Sequence, residues 1–280
     1  MWINKKDIKK LSDDIRRIID GQEIDLRNNR EGVWCILRND IHTLANLKNE
    51  QFDVLQNERD VMKDTLTNIS HQIKTPLTSM MIMADLLENA PPDKQTEFLA
   101  NIRTGLIRLE WLASALLKMA KLDAGAVEFH REPVSSGVLV DLALEPLQIL
   151  LDIKGQCVDF VGDDGAGGEI ELFCDKRWTA EALTNVIKNA SEYSPEGGVI
   201  RIESGMNPIC TWVSVIDNGT GIPGNKIARL FKRFEGSRSD KGYGIGIPLA
   251  LAIMRGQNGD IEVDGGGNSV GATFTLKFYR

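Results

Sequence analysis

The sequence predicts an α+β protein, with a helical N-terminal part followed by a mixed sheet that carries helices on one face. Up to about residue 125, apolar residues recur at alternating steps of three and four. This is the spacing of helices that pack against other helices. From about Val127, glycine becomes frequent and short apolar runs alternate with helical patterns. Such an alternation favours an α+β sandwich for the C-terminal part.

Composition and charge narrow the class of protein. The 280 residues are enough for about two domains, and 42% hydrophobic with 26% charged residues is typical of a globular protein. The net charge is −7 without a dominant basic block, so we expect no nucleic-acid partner. No apolar run approaches the roughly 18 residues of a membrane-spanning helix. The four cysteines are scattered, which predicts reduced thiols in a cytoplasmic protein.

Residues 1–58 are predicted to form a helical signal-relay segment. The first helix ends at Gly21, and a second helical pattern begins near Trp34. This order of helix, glycine-containing connector and helix resembles a HAMP relay module, and a plain helical linker fits equally well. The pattern leaves two origins open: the cytoplasmic part of a longer receptor, with a membrane tether or sensor before residue 1, or a soluble relative.

Residues 59–125 are predicted to form an antiparallel hairpin of two helices, separated and capped by Pro91–Asp93. His71 lies off the apolar seam and should face water. Pro76 lacks a backbone N–H and crowds the carbonyl of Gln72, which predicts a bend beside the histidine. Because a hairpin leaves apolar surface uncovered, we expect a homodimeric four-helix bundle.

Residues 126–280 are predicted to form the sheet domain. A helix capped by Asp175 should run to about Tyr193, and another is expected over 136–154. Alternating patterns predict strands at 127–134, 157–161, 171–173, 199–204, 209–216, 260–264 and 272–278, with a turn-rich loop at 162–168.

Two patterns in this domain suit a nucleotide and its metal ion. Asn185 and Asn189 are four residues apart, so they share a helix face, and amide oxygens suit Mg²⁺. Lys188, between them, can meet a phosphate. Asp217 follows a strand, where its carboxylate can accept a hydrogen bond from the adenine amine. The glycines after Asp217 let the backbone approach the base.

Two further patterns follow in order. Phe231–Phe234 places apolar side chains around the cation Arg233. Gly242–Gly246 opens a helix, and free N–H groups at a helix N-terminus bind phosphate. Each pattern is weak alone, but their fixed order on suitable elements predicts a nucleotide site.

Through these motifs, the chain resembles the sensor histidine kinases of two-component systems over about residues 55–280. His71 matches the H box of the dimerising hairpin. The other boxes of that family match as the N box (Asn185–Tyr193), the first G box (Asp217–Gly221), the F box (Phe231–Phe234) and the second G box (Gly242–Gly246). The resemblance implies a Bergerat-type ATP-binding fold over residues 126–280.

The resemblance also implies the reaction and its residues. A ring nitrogen of His71 attacks the γ-phosphoryl group of ATP, and the phosphoryl group then passes to an aspartate of a response regulator. Gln72 and Thr75 are the implied catalytic neighbours, and Asn189 and Asn185 are the implied Mg²⁺ ligands. The ATP-binding residues that it implies are Asn185, Lys188, Asn189, Tyr193, Asp217, Gly219, Gly221, Ile222, Phe231, Arg233, Phe234, Gly242, Gly244 and Gly246.

Three departures from familiar patterns bear on activity. Gln72 stands where the family usually carries Glu or Asp as a base; an amide cannot take the proton, so slower autophosphorylation is expected. Thr75 occupies the position that implies phosphatase activity toward the regulator. Glu192 replaces a lysine that many relatives carry beside Tyr193, which removes one possible phosphate contact.

The position of Asn185 favours a kinase over a hydrolase. In gyrase-like hydrolases of this fold, a glutamate four residues before the Mg²⁺-binding asparagine activates water. Asn185 occupies that place, and Glu181, one turn further back, is not expected to replace the base. Two alternatives stay open: a Bergerat-fold ATPase clamp whose helices only dimerise, and a phosphatase-biased adaptor with weak autokinase activity.

Overall fold

The computed structural model describes residues 5–19, 33–88, 90–162, 170–235, 244–266 and 271–279. The chain divides into two compact units, Met1–Thr67 and Asn68–Arg280. Some sequence predictions lie outside the described residues, namely those on Gly21 and the connector after it, on the 162–168 loop beyond Gly162, and on Gly242.

The first unit contains helix α1 (Lys5–Ile19) and the beginning of helix α2 (Val33–Leu87). Leu11 of α1 is buried, and Arg38 of α2 forms an ion pair with Asp14 at 3.8 Å. Helix α2 continues without interruption to the segment that carries His71.

Helix α2 and helix α3 (Pro92–Asp123) are separated by a short connection, as predicted from the prolines. Pro92 occupies the first turn of α3, where its missing N–H costs nothing. The predicted side-chain cap is not formed, because the residue at the cap position is Pro91. Helix α2 continues through Pro76, and the bend expected beside His71 stays a prediction.

Gly105 on α3 sets how closely the two hairpin helices approach. A Cβ atom at this position would lie 2.6 Å from Sδ of Met80, and Met80 is buried. The absence of a side chain at Gly105 therefore makes room for the methionine of the facing helix.

The C-terminal part contains the predicted mixed sheet. The strands of this part are β1 (Glu132–Ser135), β2 (Cys157–Gly162), β3 (Glu171–Cys174), β4 (Val199–Met206), β5 (Cys210–Ile216), β6 (Gly259–Asp264) and β7 (Thr273–Tyr279). The order of strands in the mixed sheet is β2-β4-β5-β7-β6; β2 and β4 are parallel, and the other pairs are antiparallel. A second, two-stranded sheet pairs β1 with β3.

The helices of this part are α4 (Ser136–Leu144), α5 (Gln148–Ile153), α6 (Lys176–Tyr193), α7 (Gly224–Leu230) and α8 (Gly246–Gly256). Apolar residues of α4, α6 and α8 share one core with the sheet. Leu183, Leu249 and Phe274 are almost completely buried in it. The predicted α+β sandwich is confirmed.

Two predicted elements needed correction. The helix expected over 136–154 is interrupted by a 3₁₀ turn at Glu145–Leu147, because Pro146 cannot donate the backbone hydrogen bond of a continuous helix. The strand expected over 127–134 is only Glu132–Ser135, because its partner β3 offers four residues to pair with. Phe129, outside the strand, instead packs edge-on to Trp178.

Candidate functional site

The asparagine pair lies on helix α6, beside the start of helix α8. Asn185 is buried, and its Nδ2 donates to the carbonyl oxygen of Glu181 at 2.9 Å. A Cβ atom on Gly246 would lie 3.1 Å from Oδ1 of Asn185, so this oxygen faces the first turn of α8. Asn189, one turn later, is half-buried, and its side-chain amide makes no hydrogen bond to the described residues. Its amide is available to a ligand.

The C-terminal end of α6 is held by the buried side chain of Gln156. Its Nε2 donates to the carbonyl oxygens of Ser191, Ser194 and Pro195 at 3.1, 3.3 and 3.1 Å. Its Oε1 accepts from Oγ of Ser191 at 2.6 Å. These contacts fix the turn that follows Tyr193. Sequence reasoning missed Gln156, because nothing in its local spacing marks a contact with residues so distant in the chain.

The N-terminal end of α6 is held by Gln257, which follows α8. Oε1 of Gln257 accepts the backbone N–H of Asp175 at 2.6 Å, and Nε2 donates to Oγ1 of Thr179 at 3.2 Å. Oδ1 of Asp175 caps α6 as predicted, accepting from the N–H groups of Arg177 and Trp178 at 3.1 Å each. Helices α6 and α8 are thus tied together at the end remote from Asn185 and Gly246.

Asp217 directly follows strand β5 and is buried. Its Oδ1 accepts the N–H of Gly219 at 2.9 Å and that of Ala272 at 3.0 Å. Oδ2 makes no hydrogen bond to the described residues. The arrangement holds the carboxylate in one orientation and leaves one oxygen for a ligand such as the adenine amine.

Two glycines around Asp217 leave no room for a side chain, and a third has a left-handed backbone conformation. A Cβ atom on Gly219 would lie 2.6 Å from the carbonyl oxygen of Tyr193, and one on Gly271 would lie 1.8 Å from that of Asp217. Gly221 has φ of 72°, a backbone conformation that glycine adopts without strain. Sequence reasoning missed Gly271; the only local signal is that it stands at the start of the last strand.

Backbone hydrogen bonds and packing fix the positions of Ile222 and the F-box residues. The N–H of Ile222 donates to the carbonyl oxygen of Gly265 at 2.9 Å, and that of Phe234 donates to Gly244 at 3.0 Å. Phe234 is buried although its φ is 65°, and Gly244 has φ of 64°. The Phe234–Gly244 hydrogen bond brings the end of the F box to the start of α8. Phe231 is half-buried against the core.

The two candidate phosphate-binding cations contact helix α3. Nζ of Lys188 lies 4.8 Å from the centroid of the Trp111 ring. Nη2 of Arg233 lies 2.7 Å from Oδ1 of Asp123. Tyr193, by contrast, is half exposed. The structure therefore places Lys188 and Arg233 against the hairpin.

The hairpin residues lie on the exposed surface of α2. His71 and Thr75 are exposed and Gln72 is half-buried. Oγ1 of Thr75 donates to the backbone oxygen of His71 at 3.1 Å. Among the described residues, Gln72 forms no hydrogen bond to the His71 ring. The imidazole is thus accessible to a reacting partner.

The donor set suits a magnesium ion bound chiefly through nucleotide and water. No group of three or more His, Cys, Asp or Glu side chains clusters as a metal site within the described ranges. Mg²⁺ keeps several waters and takes few protein oxygens when it accompanies phosphates. The amide oxygen of Asn189, and that of Asn185 beside Gly246, fit this limited role.

Fold and site together define a nucleotide-binding α+β domain joined to a helical hairpin that displays a histidine. Residues 61–125 match the family model described as His Kinase A (phospho-acceptor) domain. Residues 174–280 match the model described as Histidine kinase-, DNA gyrase B-, and HSP90-like ATPase. The chain belongs to the sensor histidine kinases of two-component systems.

Curated relatives agree with these matches. The chain is 30% identical over 223 residues to the heme sensor protein HssS of Staphylococcus saprophyticus, covering 79% of this chain and 47% of the relative. It is 28% identical over 242 residues to the sensor histidine kinase WalK of Bacillus subtilis, covering 81% and 39%. The chain thus spans about half or less of the length of these relatives. In the described ranges, no helix is both long and apolar enough to cross a membrane.

Solved structures share the fold. The Acinetobacter baumannii histidine kinase AdeS superposes with a TM-score of 0.58 at 20% identity, covering 75% of this chain and 97% of that one. The histidine kinase ThkA, solved in complex with the response regulator protein TrrA, gives a TM-score of 0.63 at 18% identity, covering 83% and 66%. ShkA, solved full-length with AMPPNP, gives 0.57 at 25% identity, covering 77% and 45%.

Proposed function

We propose that this chain autophosphorylates His71 from Mg·ATP and transfers the phosphoryl group to an aspartate of a response regulator. One observation carries the proposal: a buried Asp217 with one free carboxylate oxygen shares a chain with an exposed histidine on a phospho-acceptor hairpin. The carboxylate would bind the adenine of the phosphoryl donor, and the exposed histidine would be the nucleophile that accepts the phosphoryl group. ATP as the phosphoryl donor assigns the reaction to the cytoplasm.

Each part of the nucleotide has its assigned residues. Oδ2 of Asp217 accepts from the adenine amine, and Gly219, Gly221 and Ile222 let the backbone approach the base. Asn189, with Asn185, holds Mg²⁺, which would neutralise phosphate charge when bound. The phosphates are assigned to Lys188, Arg233, Gly242, Gly244 and Gly246, and the apolar walls of the site to Tyr193, Phe231 and Phe234.

The assignment of a kinase rather than an ATPase rests on α6. Asn185 cannot act as a base, because an amide does not take up a proton at neutral pH; its Nδ2 donates within the helix. Glu181, one helical turn before Asn185, forms an ion pair with Lys118 at 2.8 Å, so its carboxylate is engaged with helix α3. Without a base to activate water, the γ-phosphoryl group is available to His71.

Homodimerisation and regulator binding are part of the proposal. Leu66, Ile73 and Leu77 on the His71 helix expose 40% to 55% of their surface, and Leu106 on α3 exposes 56%. A second copy of the hairpin would cover such residues in a four-helix bundle. The receiver domain of a response regulator would then contact the same bundle near His71. A sensor or membrane tether before residue 1 stays a prediction.

The hairpin also favours a second candidate, a phosphatase-biased adaptor. Gln72 supplies no base and makes no hydrogen bond to the imidazole within the described residues, which favours slow autophosphorylation. Thr75 lies one turn after His71, where a hydroxyl can orient water. Such a protein would mainly dephosphorylate its regulator.

Incubation with γ-labelled ATP and Mg²⁺ tests the proposal. The expected result is protein label that is acid-labile and alkali-stable, absent from His71→Gln and retained in His42→Gln, the matched change at another histidine of α2. Phosphate release without labelled protein would instead indicate an ATPase clamp. Regulator dephosphorylation without label would indicate the adaptor.

A further inference from the structure

Helix α3 packs directly on the nucleotide-binding domain. Leu112, Ala115 and Met119 expose 1%, 3% and 2% of their surface and belong to the same core as α8. Three polar contacts surround this apolar strip: Lys118 with Glu181 at 2.8 Å, Lys188 over Trp111 at 4.8 Å, and Arg233 with Asp123 at 2.7 Å.

Two of these three contacts engage side chains assigned to the phosphates of ATP. Nη2 of Arg233 is bound to a carboxylate, and the ammonium of Lys188 is centred over an aromatic ring. A phosphate that binds either cation must therefore share it with its α3 partner or displace that partner. The Lys118–Glu181 pair differs, since neither of its members is assigned to nucleotide.

We propose that Asp123 and Trp111 compete with the nucleotide phosphates for Arg233 and Lys188. Asp123 and Trp111 are then positioning residues. They hold the two cations in place in the absence of ATP, and these contacts break when ATP binds. The inference rests on the proposed function, because that function assigns both cations to phosphate.

The exposure of the ion pair suits an exchangeable contact. The side chains of Arg233 and Asp123 are 37% and 48% exposed, so water and salt screen their attraction. A guanidinium binds phosphate oxygens through paired, charge-assisted hydrogen bonds. Displacement of the Asp123 carboxylate by a phosphate therefore requires only a small free energy. Because the two binding equilibria are linked, removal of the competing Asp123 carboxylate should raise the nucleotide affinity by the same factor by which the competition lowers it.

The experiment measures binding of Mg·AMP-PNP to the full chain by calorimetry. Asp123→Asn should lower the dissociation constant about two- to fivefold, the range of one partly exposed pair. Glu97→Gln, which removes the same charge from the ion pair between Glu97 and Lys94 on α3, should leave it unchanged. Lys118→Gln, which breaks the third contact without touching a phosphate-binding cation, should also leave it unchanged.

A double-variant cycle locates the effect at Arg233. In the Arg233→Gln background, Asp123→Asn should no longer change the dissociation constant, because the group that it competed for is gone. The inference is overturned if Asp123→Asn leaves affinity unchanged. It is also overturned if Glu97→Gln or Lys118→Gln strengthens binding equally, or if the gain persists without Arg233.

Measuring the same variants in a His71→Gln background separates this inference from the proposed function. Binding does not require phosphoryl transfer, so the competition is expected there too. Absence of any AMP-PNP binding would overturn both the function and the inference. Binding that is insensitive to Asp123→Asn would overturn the inference alone.

Discussion

Oδ1 of Asp217 accepts the backbone N–H of Ala272 at 3.0 Å, which joins the end of strand β5 to the start of β7. The same oxygen also accepts from Gly219. The carboxylate is therefore oriented by two backbone donors that do not depend on a ligand. The acceptor proposed for adenine is thus already buried and oriented in the absence of a ligand.

Asp217→Asn should weaken AMP-PNP binding about 10- to 100-fold, the range of one charge-assisted hydrogen bond. The amide oxygen can still accept from the two N–H groups, so the melting temperature should change little. Calorimetry measures the affinity. Asp264→Asn is the matched control, because Oδ1 of Asp264 accepts from Gly266 at 3.0 Å in the same local turn on an exposed strand end. Equal affinity in both variants would contradict the assignment of Asp217 to adenine.

Gly219→Ala should reduce both nucleotide affinity and stability. The new Cβ atom would lie 2.6 Å from the carbonyl oxygen of Tyr193, and relief of such crowding costs about 1–3 kcal/mol. Urea unfolding measures the loss. At Gly224 a Cβ atom meets nothing within 4 Å, so Gly224→Ala should be nearly neutral. The packing argument is wrong if the two variants unfold alike.

Gln72→Glu should speed autophosphorylation of His71, because a carboxylate can accept the imidazole proton that an amide cannot. General-base catalysis contributes roughly 10²-fold or more where proton loss limits the rate. Initial label incorporation at saturating ATP measures it, and Gln56→Glu adds the same charge elsewhere on α2. An initial rate equal to or below that of the parent chain would refute the role given to this position.

Thr75→Ala should reduce dephosphorylation of the phosphorylated regulator. Its hydroxyl lies beside the His71 backbone, where Oγ1 donates to the carbonyl oxygen at 3.1 Å, and can turn to orient water. The rate of phosphate loss from purified phospho-regulator measures the effect. Thr78→Ala, on the same helix, controls for loss of a hydroxyl. An unchanged rate in Thr75→Ala would count against phosphatase activity at this residue.

Cys174 should make stability fall at alkaline pH. Burial raises the pKa of its thiol from 9.0 to about 11, partly opposed by a hydrogen bond with Thr179. The folded state thus holds the proton more tightly than the unfolded state. The protonated thiol therefore contributes fully to the free energy of unfolding below pH 9. This contribution is lost as the pH rises to about 11, where the loss is about 2 kcal/mol.

Urea unfolding at pH 8 and near pH 11 measures this dependence. In Cys174→Ala, the free energy of unfolding should fall by about 2 kcal/mol less between these pH values than in the parent chain. Cys157→Ala, at an exposed thiol, should show the same fall as the parent. An identical decline in the parent and in Cys174→Ala would show that this thiol does not titrate differently in the two states.

Local patterns predicted most elements because each depends on neighbouring residues. Strand β5 was expected at 209–216 and is Cys210–Ile216, and helix α6 begins after Asp175 and ends at Tyr193 as predicted. The interruption of the helix expected over 136–154 is also local, because Pro146 breaks the helix in spite of its apolar spacing. The roles of the site residues toward ATP, Mg²⁺ and the regulator stay predictions.

The sequence alone determined the order of the elements, the exposed setting of His71 and the glycines that follow Asp217, because periodicity and turn chemistry act over a few residues. Only the tertiary structure decided that Gln156 and Gln257 hold the two ends of α6, that Gly271 closes on Asp217, and that Arg233 meets Asp123 across 110 positions. Contacts of that separation arise from how packed elements meet in space, and no local spacing encodes them.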